Sequence, residues 1–140
     1  MYLLDTNVVS ELRKVRSGRA DANVARWAGS VDAADLYLSV ITLQELEIGV
    51  LLMERRDPPQ GAILRAWFEQ QVVPAFSGRV LPIDIAVARR SASLHVPDMG
   101  PVRDGLIAAT ALVHRMQVVT RNVADFGGSG VDLINPWDAA

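Results

Sequence analysis

Short apolar runs alternate with amphipathic segments along the whole chain. Runs without polar alternation are typical of strands covered on both faces, so we predict strands over residues 2–4, 36–40, 79–83, 117–120 and 131–134. Apolar residues at helical spacing predict a helix that opens at Thr42 and others over residues 7–16, 21–30, 62–71, 85–94 and 102–115. This order indicates an α/β fold with a mostly parallel sheet and helices on both faces.

Length and composition limit the classes of protein to which the chain can belong. Half of the 140 residues are hydrophobic, which fits a single domain spanning residues 1–140. The lack of cysteine excludes disulfides, thiolate nucleophiles and zinc–thiolate sites. A formal charge of −2 argues against a broad electropositive surface for nucleic acid. No run is long enough to span a membrane and no signal-type segment begins the chain, so we expect a soluble, cytoplasmic protein.

Several common catalytic motifs are missing from the sequence. No GxGxxG follows the first predicted strand, and no GxxxxGK[ST] occurs, so dinucleotide binding and P-loop chemistry have no support. No serine lies in a GxSxG elbow either. The chemistry must therefore be sought in other residues.

Two acids occupy unexpected positions in the first half of the chain. Asp5 directly follows the first strand, at the sheet edge where ligands bind, although capping of the next helix is an alternative explanation. Glu45 follows Thr42 at the spacing of a capping box. It also interrupts an apolar stripe that runs from Ile41 to Leu52, which favours a role in a site.

Two further acids occupy similar positions in the second half. Asp104 lies in the first turn of a predicted helix, where the helix dipole alone favours a carboxylate, but it also heads the inward-facing stripe of that helix. Asp125 follows the fourth strand, where reciprocal capping with Asn122 is an alternative. Strand ends and helix starts share one edge of a doubly wound sheet, so we expect all four acids to lie together.

A cluster of four acids implies a cation. Carboxylates that lie together repel one another unless protons or cations intervene. Because the chain has no thiolates or paired histidines, the natural cation is a hard one, Mg²⁺ or Mn²⁺. Such a site suits metal-assisted attack of water on a phosphodiester.

Four segments of the chain are informative in combination: MYLLDTNVVSEL, SVITLQELEIGV, RDGLIAATALVHRMQVVTRNVADF and INPW. Together they resemble the PIN-domain ribonucleases, specifically the VapC and FitB-like toxins of bacterial toxin–antitoxin pairs, and the resemblance extends over nearly the whole chain. The resemblance implies a PIN-like (Rossmann-like) fold, an RNA substrate and dependence on Mg²⁺, with Mn²⁺ as a substitute. It also implies a homodimer, and a small antitoxin that blocks each site by donating an arginine.

The resemblance also implies roles for individual residues. The acids of the family's DTN, TxxEL, DxLIAAT and TxNxxDF motifs form its metal site, and here they are Asp5, Glu45, Asp104 and Asp125. The supporting polar positions correspond to Thr6, Asn7, Thr120 and Asn122. Gly105 stands where the family often has alanine, at a cost in helix stability of up to about 1 kcal/mol.

On this basis we predict hydrolysis of RNA by a metal-activated water. Glu45 acts either as a metal ligand or by orienting the water, and the other three acids hold one or two metal ions. Because water is the nucleophile, the products should carry 5′-phosphate and 3′-hydroxyl ends. The substrate's phosphates could be steered by Arg13, Arg16, Arg19 or Arg121.

Two alternatives from other functional classes remain. One is a phosphohydrolase or receiver that is phosphorylated on Asp5, although Asn7 stands where such proteins often have a second acid. The other is a non-catalytic partner-binding module whose acids only cap helices and receive arginines from a partner. We also predict a homodimer from the sequence itself, because Trp67, Phe68 and the other apolar residues of the segment 62–71 exceed what so small a domain needs inside.

Overall fold

The computed structural model describes residues 1–138 of the chain. Within them, five strands form one sheet in the order β3-β2-β1-β4-β5, and every pairing of neighbours is parallel. The strands are β1 Tyr2–Leu4, β2 Leu36–Ser39, β3 Val80–Leu81, β4 Gln117–Val119 and β5 Leu133–Ile134. The predicted parallel α/β architecture is confirmed, and the first strand lies at its centre.

Helices cover both faces of this sheet. They are α1 Thr6–Leu12, α2 Ala22–Ser30, α3 Val40–Arg56, α4 Pro58–Trp67, α5 Val73–Ala75, α6 Ile85–Leu94 and α7 Val102–His114. Successive side chains of a strand point to opposite faces, so Leu3 and Leu4 of β1 enter two separate core clusters. In the part of the chain that the structure describes, no helix is long and apolar enough to cross a membrane.

Several helix boundaries differ from the prediction. α1 ends at Leu12 instead of residue 16, and turns follow as far as residue 18. The next apolar residue, Val15, is exposed, so no buried side chain supports a longer helix. α3 begins at Val40, where the hydroxyl of Ser39 accepts the backbone N–H of Ile41 at 3.0 Å.

Thr42 does not open α3, and the capping box considered as an alternative role for Glu45 does not form. Thr42 is fully buried within α3, and its hydroxyl donates to the carbonyl oxygen of Leu4 at 3.4 Å. The buried residues of α3 are Thr42, Leu46 and Val50. Leu52, at the end of the predicted apolar stripe, is 63% exposed. Glu45 therefore lies beside the buried face of α3 and not within it.

The helix predicted from residue 62 begins earlier, at Pro58. Asp57 caps it by accepting the backbone N–H of Gln60 at 3.3 Å, and proline is tolerated in the first turn because the amides there have no helical partner. Gly61 is buried, and a Cβ at this position would overlap the backbone of Glu54. This glycine therefore allows α4 to pack directly on α3.

The Trp67–Phe68 pair lies inside the protein. Phe68 is 4% exposed, and Trp67 packs against the same core cluster. These two residues therefore give no support to a homodimer, because both are needed within one copy, whereas Ile63 of the same predicted segment is exposed. The large exposed apolar side chains of α3 and α4 are instead Leu51, Leu52 and Ile63.

Candidate functional site

Asp5 lies at the carboxyl end of the central strand, and both of its carboxylate oxygens are hydrogen-bonded. Oδ1 accepts the backbone N–H of Thr6 at 2.8 Å, which makes Asp5 the N-cap of α1. Oδ2 accepts the hydroxyl of Thr120 at 2.8 Å and the side-chain amide of Asn7 at 3.4 Å. Only 7% of Asp5 is exposed. Helix capping thus accounts for one oxygen, and the other belongs to a polar network between two loops.

Strand register explains how Asp5 and Thr120 meet. Leu4 of β1 pairs with Val119 of β4, so the residue after each strand lies at the same edge of the sheet. Thr120 is fully buried, and its oxygen also accepts the backbone N–H of Asn122 at 3.0 Å. Sheet pairing therefore fixes the relative positions of groups that are 115 residues apart.

Asn7 and Asn122 differ in what they contribute. The side-chain oxygen of Asn7 accepts the backbone N–H of Arg121 at 3.2 Å, so Asn7 ties the start of α1 to the loop after β4. Asn122 donates its backbone N–H to the hydroxyl of Thr120, and its side chain makes no capping hydrogen bond to the 3₁₀ helix that follows. The reciprocal side-chain capping considered as an alternative for Asn122 and Asp125 does not form, since the backbone N–H of Asp125 instead donates to the carbonyl oxygen of Asn122 at 3.0 Å.

Glu45 lies in the second turn of α3 and faces α1. Its Oε1 accepts the hydroxyl of Thr6 at 2.8 Å, and its Oε2 is 3.8 Å from Nη1 of Arg103. Thr6 thus links Glu45 to the helix that Asp5 caps. This contact brings the acid of α3 to the same edge as Asp5, as we expected from the sequence.

Asp104, in the first turn of α7, shows how close the four acids are. Partial burial and, after it, the charges of Asp5, Asp125 and Glu45 in that order together raise its pKa to about 6. Because each of the other three acids opposes its ionisation, all four lie within electrostatic reach of one another. The structure therefore brings the four predicted residues together.

A cleft of about 360 Å³ opens beside Asp104 and Asp125. Asp125 belongs to a short 3₁₀ helix, Val123–Phe126, which is anchored by its buried phenylalanine, and Asp125 itself is exposed. His95 lines the cleft, and its Nδ1 accepts the backbone N–H of Gly100 at 3.1 Å. A Cβ at Gly105 would lie 2.9 Å from Nε2 of His95. Glycine at this position therefore makes room for the imidazole ring.

The site offers only oxygen donors, which are the ligands that Mg²⁺ and Mn²⁺ prefer. Within residues 1–138, no three Asp, Glu, His or Cys side chains already surround a common point closely enough to hold a metal ion. Mutual repulsion, which raises the pKa of Asp104, opposes such an approach. A divalent cation would remove this repulsion, so the residues present fit a hard divalent metal.

Sequence reasoning did not assign a role to Arg103 or His95. Arg103 immediately precedes Asp104, and this adjacency was the one available signal that a positive charge reaches the acids. His95 is the C-cap residue of α6. Its contact with Gly105 depends on how α6 packs on α7, which neighbouring residues in the sequence do not reveal.

Comparison with known proteins agrees with this geometry. Residues 2–126 match the PIN domain. The VapC ribonuclease Y4jK of Sinorhizobium fredii is 41% identical over 148 aligned positions, which cover 100% of both chains. The toxin FitB of Neisseria gonorrhoeae is 40% identical, covering 98% of this chain and 99% of its own length. The crystal structure of FitAcB from Neisseria gonorrhoeae matches with a TM-score of 0.87 and 36% identity, covering 99% of this chain and 100% of that chain. The chain therefore belongs to the PIN-domain family, as a relative of the VapC and FitB toxins.

Proposed function

We propose that this protein is a Mg²⁺-dependent endoribonuclease toxin that hydrolyses RNA phosphodiester bonds and is inhibited by a cognate antitoxin. The observation that carries the proposal is the convergence of Asp5, Glu45, Asp104 and Asp125 at one sheet edge, where three of the charges raise the pKa of the fourth. The name of the Sinorhizobium fredii relative supports the ribonuclease activity. The oxygen donors of the site support a dependence on Mg²⁺, because hard divalent cations prefer such ligands.

Asp5, Asp104 and Asp125 are the proposed metal ligands. One or two bound Mg²⁺ ions, or Mn²⁺ as a substitute, would polarise the phosphodiester and lower the pKa of a bound water. The hydrogen bonds from Thr120 and Asn7 hold the Asp5 carboxylate in one orientation, so little reorganisation is needed when it binds a cation. Asp104 has to lose its proton before it can act as a ligand.

Glu45 is proposed to complete the site, either as a further ligand or by orienting the attacking water. The hydroxyl of Thr6 holds one of its oxygens in place. With water as the nucleophile, the ribose 2′-hydroxyl takes no part. The products should therefore carry 5′-phosphate and 3′-hydroxyl ends.

The two alternatives drawn from the sequence have less support. Phosphorylation of Asp5 lacks the second acid that often accompanies a phosphorylated aspartate, because Asn7 stands at that position. A role limited to helix capping accounts for Oδ1 of Asp5, but it accounts neither for Oδ2 nor for the position of Glu45. Trapping of a covalent aspartyl-phosphate would revive the first alternative.

We further propose two protein partners. Resemblance to the toxins of toxin–antitoxin pairs supports a separate antitoxin, with an arginine that enters each acidic site. The exposed apolar side chains on α3 and α4 support a homodimer, because large apolar groups in contact with water favour association.

An assay of RNA cleavage tests the proposed activity. Purified protein is incubated with total cellular RNA in Mg²⁺ and, separately, in EDTA, and the ends of the fragments are then analysed. We expect cleavage in Mg²⁺ alone, with 5′-phosphate and 3′-hydroxyl ends. Undiminished cleavage in EDTA, or 2′,3′-cyclic phosphate ends, would contradict hydrolysis by a metal-activated water.

A further inference from the structure

One arginine reaches into the acidic site. Arg103 is in the first turn of α7, and its Nη1 lies 3.8 Å from Oε2 of Glu45. Over residues 1–138, this is the one ion pair that any of the four acids forms. Arg103 is also adjacent to Asp104 in the chain, so the site carries one positive charge of its own.

This ion pair contributes little to the stability of the fold. A separation of 3.8 Å is too long for a hydrogen bond, and the side chain of Arg103 is 56% exposed. A positive charge beside a proposed metal ligand also weakens cation binding by repulsion. Neither stability nor metal binding therefore explains an arginine at this position, whereas an anionic substrate does.

We propose that Arg103 is the counter-charge of the acidic site: it neutralises Glu45 in the free protein and transfers to an RNA phosphate when the substrate binds. The second half of this inference rests on the proposed ribonuclease function. Transfer is easy because the pair with Glu45 is loose and open to solvent. A guanidinium can bond two oxygens of one phosphate, so Arg103 would hold the RNA backbone beside the acids.

Two of the four arginines suggested by the sequence are less well placed for this role. The guanidinium of Arg13 lies over the ring of Trp67, 5.8 Å from its centroid. That of Arg121 lies over the ring of Trp137, 5.3 Å from its centroid. Both are held by stacking on an aromatic ring, whereas Arg103 contacts one of the four acids directly.

The test compares three variants of the full-length protein. Arg103→Gln removes the charge, and Arg103→Lys keeps the charge without the forked geometry of arginine. Arg55→Gln is the matched control, because it removes a positive charge from an exposed residue of α3 about 15 Å along the helix from Glu45. Mn²⁺ affinity is measured by titration without RNA. Values of kcat and KM are measured on a single-stranded RNA oligonucleotide at low and high salt.

We expect Arg103→Gln to strengthen the binding of Mn²⁺ and to weaken the binding of RNA. Mn²⁺ should bind about threefold to tenfold more tightly at low salt, because a repelling charge is gone. KM for RNA should rise about tenfold, with a smaller change in kcat, and the salt dependence of kcat/KM should become shallower. Arg103→Lys should recover part of the loss in KM, and Arg55→Gln should resemble the wild type on both measures.

Other outcomes would overturn the inference. Unchanged Mn²⁺ affinity of Arg103→Gln would refute the counter-charge, and weaker Mn²⁺ binding would show that Arg103 supports the ligands instead of opposing the metal. An unchanged KM would refute the contact with phosphate. If the wild type cleaves no RNA, the proposed function fails and the phosphate contact fails with it, while the Mn²⁺ titration still decides whether Arg103 is the counter-charge.

Discussion

Asp104 should make the stability of the metal-free protein depend on pH. Its pKa is raised from 3.8 to about 6 by burial and by the three neighbouring acids, so the folded state binds this proton more tightly than the unfolded chain. The resulting stabilisation is complete below about pH 4 and is lost as the pH rises through about 6. Asp104→Asn removes the titrating group, and it should therefore melt at a higher temperature than the wild type in EDTA at about pH 7.5.

Thermal melts in EDTA at about pH 5 and about pH 7.5 check this. The increase in melting temperature caused by Asp104→Asn should be larger at the higher pH. Mg²⁺ should stabilise the wild type more than the variant. Asp132→Asn is the control, because Asp132 is exposed and lies before β5, at the opposite edge of the sheet. An Asp104→Asn protein that is no more stable than the wild type at about pH 7.5 would contradict the electrostatic interpretation.

Asp5→Asn should separate catalysis from folding. Asparagine caps a helix about as well as aspartate, and one oxygen remains to accept the N–H of Thr6. Loss of the second acceptor affects the bonds from Thr120 and Asn7, so we expect stability to change by no more than about 2 kcal/mol. RNA cleavage should fall by about a hundredfold or more. Urea denaturation and cleavage assays on the same preparation measure both, and a folded variant with wild-type activity would assign Asp5 to capping alone.

Sequence reasoning treated capping and site membership as competing explanations of Asp5. The structure shows that each carboxylate oxygen has its own partner, so both apply. Spacing along the chain cannot reveal this, because the second partner, Thr120, comes from a strand 115 residues away.

The packing of α4 on α3 depends on the absence of a side chain at Gly61. Gly61→Ala would place a methyl group against the backbone of Glu54, which cannot move aside cheaply, so we expect a loss of about 1–3 kcal/mol. Gly49→Ala in α3 is the matched comparison, since nothing lies within 4 Å of its Cβ position. It should stabilise the protein by up to about 1 kcal/mol. Urea denaturation of both variants checks this, and equal effects would contradict the close approach of the two helices.

The start of a helix could be predicted where a capping residue lies next to it in the sequence. It could not be predicted where a contact with a distant residue determines the role of a side chain. Asp21 and Asp84 cap α2 and α6 by accepting backbone N–H groups two or three residues ahead; α6 begins where predicted and α2 begins one residue later. Thr42 was misassigned because its hydroxyl bonds the carbonyl of Leu4, 38 residues away. The shared carboxyl edge could be predicted from alternation of strands and helices, but the order of strands could not.

At the scale of the whole molecule, the exposed apolar residues of α3 and α4 predict the state of association. Leu52 is 63% exposed, and Leu52→Asp should shift a wild-type homodimer towards monomer. Ile85→Asp is the control, because Ile85 is 80% exposed on α6 and should tolerate the charge without dissociation. Light scattering over a range of protein concentrations measures the state of association of the wild type and of both variants. A wild-type protein that remains monomeric at every concentration would refute the homodimer.

Whether the four acids bind a divalent cation separates the ribonuclease from its alternatives. We propose titration of the purified protein with Mn²⁺, comparing the wild type with Asp5→Asn, Asp104→Asn, Asp125→Asn and the control Asp132→Asn. The wild type and the control should show a saturable site, and each of the other three variants should bind Mn²⁺ about tenfold more weakly or worse. A wild-type protein without saturable binding, or an Asp104→Asn variant with wild-type affinity, would show that these carboxylates are not a metal site.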